Sequence, residues 1–215
     1  MIPGGIVVSL LWDDASVESV VSSEGFLDRL GPGGVHVSMS TVSPQGSKRL
    51  ATLHAEHGSI FVEAPIFGRP EAALAGKLWI CTAGPTEPKT RVRPVLEAMG
   101  AQGIYDFGEA IGAATSAKLV GNFLLIAAAR SLAESLTVVE QSGFDPGPVV
   151  EMLTETLLPA PVYQTYGRMF AAKTLAASQS DIPLKDLGLF SQTAQALGSA
   201  SPIAGLLIDL LRRRA

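Results

Sequence analysis

Two hydrophobic patterns divide the 215-residue chain near residue 110. Before that point, short β-like apolar runs alternate with segments whose apolar positions recur at helical spacing. Strands separated by helices of about 10–15 residues are typical of βαβ units and predict a mainly parallel sheet. After that point the β-like runs stop, and only helical spacing continues. We therefore expect an α/β part followed by an all-α part.

The first pattern predicts five strands with helices between them. Asp13 or Asp14 is suited to cap the first helix, and Ser43 followed by Pro44 is a typical start for the next one. A further helix is expected at 86–100. The predicted strands are GIVVSLL, GGVHVSMS, SIFVEAP, KLWICTA and GIYDFG.

A single long helix is expected to open the second part. It begins at Ala113, ends at Gly143 and is about thirty residues long, well above the usual length of a globular helix. We expect an α/β half at 1–110 and an all-helical half at 111–215, joined through this helix. Several further helices are expected between the prolines Pro146, Pro159, Pro161, Pro183 and Pro202.

Composition limits the classes of partner. Hydrophobic residues make up 47% of the chain and charged residues 17%, which favours wide buried interfaces between domains or subunits. The apolar runs are interrupted well before the ~20 residues that span a bilayer, so no membrane span is expected. A net charge of −4 argues against nucleic acid. The single cysteine, Cys81, excludes an internal disulfide and favours the reducing cytoplasm.

Lys118 stands in a long helical stretch that is almost free of charge, with Asn122 four positions later. Residues four apart share a helix face, so both side chains point to the same side. A surface lysine on an amphipathic helix is the common explanation for such a residue. The surrounding sequence offers little polar face, however, which favours a lysine that serves a site.

The predicted strand ends supply further candidates. Ligands of doubly wound sheets bind at the carboxyl ends of the strands, where the turn LLWDDAS follows the first strand. An ordinary turn with an aspartate cap would explain that turn as well. Ser40 and Thr41 lie at the next strand end, before a helix N-terminus that favours anions. Simple capping by Ser43 is the alternative.

Two other segments carry residues suited to a ligand. Gly68 would let the backbone approach a ligand closely, and Arg69 could bind a carboxylate or phosphate as a fork, although an isolated arginine is usually solvated. Lys185 and Asp186 form either a site pair or a helix-opening charge pair of small value.

The histidines are weak candidates. His54 and His57 fall on a charged helix beside Glu56, so we expect a solvated face rather than a metal site. His36 is alone in a predicted strand, and Cys81 in another strand is expected to be a small core residue.

Taken in order, the motifs VVSLLWDDASV, VSMSTVSP, EAPIFGRPEAALAGKL, GAATSAKLVGNFLL, LAESLTVVEQSGFD and PLKDLGLF resemble the β-hydroxyacid dehydrogenases. The resemblance extends from Ile6 over nearly the whole chain. It implies that Lys118 is the catalytic lysine and that Asn122 helps to hold the substrate. It also implies a cofactor, NAD or NADP, and a small-molecule substrate. The positions matching cofactor contacts are Leu11, Trp12, Ser16, Thr41 and Lys185, and those matching the substrate site are Thr41, Phe67, Gly68, Arg69 and Asn122.

The chain departs from the family pattern in three places. The serine–glycine–glycine substrate loop appears as Phe67-Gly68-Arg69, and the paired asparagines appear as Gly121-Asn122. No GxGxxG fingerprint occurs. We therefore expect 1–110 to be the C-terminal part of a Rossmann-like domain and 111–215 a helical substrate or dimerisation domain. The fingerprint's absence also predicts impaired activity and no tight NAD(P) binding.

The resemblance implies an NAD(P)-dependent oxidoreductase that passes hydride to or from a small hydroxyacid or semialdehyde. One alternative is a relative of the imine reductases, although these usually replace the lysine found at Lys118. The other is a non-catalytic helical dimerisation or binding module, which predicts no cofactor binding. We also expect a homodimer or larger assembly built through the helical half.

Overall fold

The computed structural model describes residues 1–174 and 181–213. By the density of its internal contacts the chain divides into two compact units, Met1–Val120 and Gly121–Ala215. All strands of the described residues belong to the first unit, and the described residues of the second unit form helices. The expected order of an α/β part followed by a helical part is confirmed.

The first unit contains a parallel three-stranded sheet in the order β1-β2-β3. The strands are β1 (Ile6–Ser9), β2 (Val35–Ser38) and β3 (Ile60–Glu63). Parallel pairing places their carboxyl ends at one edge, with Ser9 beside Ser38 and Ser38 beside Glu63. This edge is where ligands of such sheets bind.

A second three-stranded sheet follows, in the order β4-β5-β6. β5 (Leu78–Thr82) and β6 (Ala101–Asp106) are parallel, as expected, whereas β4 (Ile66–Phe67) runs antiparallel to β5. Pattern reasoning did not predict β4, because two residues are too few to show an alternation. An isolated bridge between Glu63 and Ala83 joins the two sheets.

Helices cover both faces of the first sheet because its strands alternate their side chains. Val35 and Val37 pack on one side with Leu96, and Phe61 packs on the other side with Leu50. This two-sided burial explains why all four residues of β2 are buried, His36 and Ser38 among them. The helices of this unit before the long one are α1 (Asp14–Val21), α2 (Phe26–Leu30), α3 (Pro44–Glu56), α4 (Pro70–Leu74) and α5 (Thr86–Ala98).

The predicted helix starts are confirmed where a cap could be identified. The Asp13 side chain accepts a hydrogen bond from the Ser16 N–H, and Ser43 does the same for the Gly46 N–H, with Pro44 in the first turn of α3. Each cap satisfies a backbone donor that the helix itself leaves unpaired.

The long helix α6 runs from Ala113 to Gln141, within two residues of its predicted end. By length and composition alone α6 could cross a membrane, although only 11% of its most apolar 18-residue stretch is buried. Counting uninterrupted apolar runs had predicted no such segment. Helices of soluble proteins can have the same length and composition, so the expectation that no segment spans a membrane stays a prediction.

The second unit packs its helices in two apolar clusters. Leu132 and Leu136 of α6 contact Val150, and Leu187, Ala204 and Leu207 form the other cluster. The Phe123 and Phe190 rings stack on each other with centroids 4.4 Å apart, and both pack against the second cluster. The helices after α6 are α7 (Pro146–Glu155), α8 (Pro161–Ala171), α9 (Ile182–Ala196) and α10 (Pro202–Arg212), each with a proline in its first turn.

Candidate active site

Lys118 lies in the second turn of α6 and is only 7% exposed. Its ammonium stands 4.0 Å from the centroid of the Phe67 ring. Burial raises the pKa of the neighbouring Cys81 thiol, while the positive charge of Lys118 acts in the opposite direction. The first unit thus holds a buried ammonium against an aromatic face and a neutral thiol, which is not the environment of a solvated surface lysine.

Glu63 fixes the start of the helix that carries Lys118. This carboxylate, at the end of β3, is 1% exposed, and its Oε2 accepts hydrogen bonds from the Gly112 and Ala114 N–H groups at 3.0 and 3.2 Å. Its Oε1 accepts from the Thr115 hydroxyl at 2.6 Å. A carboxylate is favoured at a helix N-terminus, because the unpaired N–H groups carry positive partial charge.

Sequence reasoning missed Glu63, which it treated only as part of a predicted strand. A signal was present, since a carboxylate at the end of a buried strand requires donors. Those donors lie about fifty residues away along the chain, in the first turn of α6. Only the tertiary fold brings them together.

Four of the predicted cofactor residues lie in the segments that follow β1 and β2. The Leu11 N–H donates to the Ser40 hydroxyl at 2.7 Å, which brings the LLW turn against the segment carrying the partly buried Thr41. Trp12 is 47% exposed. Ser16 has a local task, because both its N–H and its hydroxyl donate to Asp13.

This edge offers exposed apolar surface and little that would attract an anion. Leu10 and Trp12 expose 61% and 47% of their surface and offer apolar area to a flat ring. The N-termini of α1 and α3 are capped by their own side chains. Asp14 accepts from the Ser43 N–H at 2.8 Å, so a carboxylate also stands at the start of α3 and disfavours an anion there.

The predicted substrate loop is only partly directed at Lys118. Phe67 contacts the ammonium, whereas Arg69 pairs with the exposed Glu71 at 3.4 Å. Gly68 has a φ of +152°, where other residues would be strained, and a Cβ there would lie 2.6 Å from Leu78 Cδ2 unless the leucine side chain moved. Of the three loop residues, Phe67 is therefore the one that the structure brings to the lysine.

In the second unit, Asp186 connects the predicted residues Asn122 and Lys185. Asn122 Nδ2 donates to Asp186 Oδ2 at 2.5 Å. The Lys185 ammonium lies 2.8 Å from Asp186 Oδ1, without the alignment of a hydrogen bond, so this contact is an ion pair. Asp186 is 3% exposed, and the alternative of a solvated helix-opening pair does not describe it.

Two histidines form a buried hydrogen-bonded chain under the first sheet. His36 Nε2 lies 2.8 Å from the Ser9 hydroxyl, His36 Nδ1 lies 3.0 Å from His54 Nε2, and His54 Nδ1 lies 2.8 Å from the Ser59 hydroxyl. The expected solvated face for His54 was wrong, because both rings are 0% exposed. His54 shares the inward face of α3 with Leu50, four positions earlier.

The environment keeps both imidazoles neutral. Burial, followed by the charge of His54, lowers the pKa of His36 to about 3. Burial, followed by the charge of His57, lowers the pKa of His54 to about 4. Within residues 1–174 and 181–213 no three side chains of histidine, cysteine, aspartate or glutamate are grouped to hold a metal ion.

Two protein-family models together cover the chain. The model described as the NAD binding domain of 6-phosphogluconate dehydrogenase matches residues 4–111. The model described as the NAD-binding part of NADP-dependent 3-hydroxyisobutyrate dehydrogenase matches residues 112–215.

Relatives of known sequence and structure point the same way. An uncharacterized oxidoreductase, YfjR, of Bacillus subtilis is 39% identical over 94% of this chain and 71% of its own length. A 3-hydroxyisobutyrate dehydrogenase of Pseudomonas aeruginosa is 29% identical over 95% of this chain and 71% of its own length. The fold of Psf3, solved in complex with NADP+ and 2-OPP, is similar with a TM-score of 0.85 at 21% identity, over 98% of this chain and 75% of that one.

Proposed function

Since the chain belongs to the β-hydroxyacid dehydrogenase family and is an NAD(P)-dependent oxidoreductase, we propose that Lys118 is its acid–base residue. The proposed substrate is a small hydroxyacid or the corresponding semialdehyde. The observation that carries this proposal is the buried ammonium of Lys118, held on a helix whose start is fixed by Glu63. Burying a charged group is costly, and such groups are common at functional sites.

In this mechanism the residues of the chain handle the proton and the orientation of the substrate. Lys118 donates a proton to the carbonyl oxygen during reduction and removes the hydroxyl proton during oxidation. Thr41, Gly68 and Asn122 orient the substrate, and Asp186 supports Asn122 by accepting from its amide. The nicotinamide of a bound cofactor supplies or accepts the hydride.

The same residues divide the work of holding the cofactor. Leu11, Trp12 and Thr41 would hold the nicotinamide end at the carboxyl edge of the first sheet, with Ser16 behind them on α1. Lys185 would contact the cofactor, with Asp186 paired to its ammonium. The exposed Trp12 ring provides a spectroscopic probe of this binding.

Replacement of Lys118 by alanine tests the mechanism. Because tight cofactor binding is not expected without a GxGxxG fingerprint, the test uses the chain joined to a GxGxxG segment of a family member. In that protein Lys118→Ala should lower kcat by at least ~10²-fold, the usual scale of general acid–base catalysis, while cofactor affinity barely changes. The measurements are NADH and NADPH oxidation with a panel of small carbonyl acids, and quenching of tryptophan fluorescence by cofactor. The exposed Lys77 is the matched control, and Lys77→Ala should match the wild type. Near-normal turnover by Lys118→Ala would remove this residue from the mechanism.

The imine reductase alternative has weaker support. An imine reductase of Streptomyces aurantiacus has a similar fold, with a TM-score of 0.63 at 18% identity over 97% of this chain and 73% of that one. This likeness concerns the fold alone. The dehydrogenase relatives also favour an enzyme over a non-catalytic binding module, and turnover of a carbonyl acid by the chain joined to a GxGxxG segment tests that choice.

We also propose that the chain forms a homodimer through its helical part. Supporting this are large apolar side chains that α6 leaves exposed, among them Leu124 at 58% and Val138 at 63%. Apolar patches of this kind are typical of protein interfaces. Light scattering should give at least twice the 22.4 kDa mass of the chain, and Leu124→Glu should lower it. A monomeric wild type would refute the proposal. The cytoplasmic location stays a prediction.

A further inference from the structure

Phe67 lies beside Lys118 and makes backbone and side-chain contacts within the first unit. Its strand β4 pairs with β5, where Phe67 lies opposite Trp79. The ring packs against the small apolar cluster that contains Cys81 and Ala114. Gly68 follows with a φ of +152°, a conformation that favours glycine.

The contact between the two side chains has the geometry of a cation–π interaction. The ammonium lies 4.0 Å from the ring centroid, inside the ~6 Å within which a ring face attracts a cation. Lys118 is 7% exposed, so little water competes for the charge. A lysine side chain has four rotatable bonds and loses much freedom when it is fixed, and the ring offsets part of this cost.

We infer that Phe67 is a positioning residue, which holds the Lys118 ammonium in the orientation from which it exchanges its proton with substrate. This inference rests on the proposed function of Lys118 and assigns Phe67 a different task from contacting substrate. A positioned acid acts on bound substrate, so the ring should influence kcat more than KM. Its effect depends on the aromatic face and not on the volume of the side chain.

Three substitutions of Phe67 distinguish an effect of its aromatic face from an effect of its side-chain volume. Phe67→Leu and Phe67→Met keep an apolar side chain but remove the ring, whereas Phe67→Tyr keeps the ring. We expect about tenfold lower kcat for the leucine and methionine variants with little change in KM, and near wild-type kcat for the tyrosine variant. Phe107→Leu is the matched control, because Phe107 is a 43% exposed phenylalanine of the same unit.

A spectroscopic measurement follows the contact without relying on activity. In a protein labelled with ¹³C-lysine, the Cε protons of Lys118 should be shifted upfield by the ring current, with the signal assigned through Lys118→Arg. The shift should persist in Phe67→Tyr and disappear in Phe67→Leu and Phe67→Met. Circular dichroism of each variant confirms that it is folded.

The outcomes distinguish this inference from the proposed function. Wild-type kcat in folded Phe67→Leu and Phe67→Met, with Lys118→Ala inactive, would overturn the positioning role and leave the role of Lys118 standing. A missing upfield shift in the wild type would also overturn the inference. A higher KM with an unchanged kcat in these variants would show that Phe67 contacts the substrate instead. Active Lys118→Ala would refute the proposed function itself.

Discussion

Lowering the pH from about 8 to about 5 should destabilise the first unit through its two buried histidines. His36 and His54 are 0% exposed and hydrogen-bonded to each other at 3.0 Å. Burial is the main reason that their pKa values fall from 6.5, to about 3 for His36 and about 4 for His54. The folded protein therefore keeps both rings neutral at a pH where the unfolded chain protonates them.

The sign and size of the effect follow from proton linkage. Between the folded and unfolded pKa values the unfolded state binds more protons, so the free energy of unfolding rises with pH. The stabilisation is complete above the unfolded pKa and is lost as the pH falls below it toward the folded values. At pH 5, about 1.5 pH units below 6.5, each histidine should have lost about 2 kcal/mol, or about 4 kcal/mol for both.

Urea titration monitored by tryptophan fluorescence measures this loss. Both tryptophans, Trp12 and Trp79, belong to the first unit, so their signal follows its unfolding. With a urea dependence of about 2 kcal/mol per molar, the midpoint should fall by about 2 M. Two carboxyl groups also have lowered pKa values, Asp106 mainly through a hydrogen bond from Lys89 and Glu109 mainly through one from Thr86. Their protonation lowers the stability only below about pH 5, outside the range compared here.

Two variants assign the effect to the buried pair. His54→Gln removes one titrating ring and should reduce the difference between the two pH values to about 2 kcal/mol. His57, which is exposed and near Asp28, is the control, and His57→Gln should keep most of the difference. Equal midpoints for the wild type at both pH values would refute the reasoning, because they would mean that the folded protein protonates the rings as readily as the unfolded chain.

Two further predictions concern buried carboxylates. Glu63→Gln should lower the stability of the first unit by about 2 kcal/mol, because an amide cannot accept from all three donors at the start of α6. Urea unfolding measures it, with the exposed Glu87→Gln as the control, and an unchanged midpoint would contradict the capping role. Asp186→Asn should cost about 3 kcal/mol, since it leaves the largely buried Lys185 ammonium without its anionic partner. Thermal melts followed by far-ultraviolet circular dichroism measure it, and a melting temperature equal to the wild type would contradict a structural ion pair.

The local features of the fold could be predicted from the sequence because their causes are local. Asp13 caps α1 through a residue three positions later, and Ser43 with Pro44 starts α3 in the same way. The end of α6 was placed within two residues because Gly143 follows it with a φ of +84°, which favours glycine. The resemblance to the family also depended on the order of short motifs, which is a property of the sequence.

The partners of the buried polar groups were decided only by the tertiary structure. His54 meets His36 eighteen positions away, Glu63 meets Thr115 fifty-two positions away, and Asn122 and Asp186 are separated by sixty-four. A helical or strand pattern specifies which face a residue occupies but not which element covers that face. The burial and the partners of these groups are therefore fixed only when distant segments pack together. The charge state of a buried histidine and the free energy of burying a carboxylate depend on that packing.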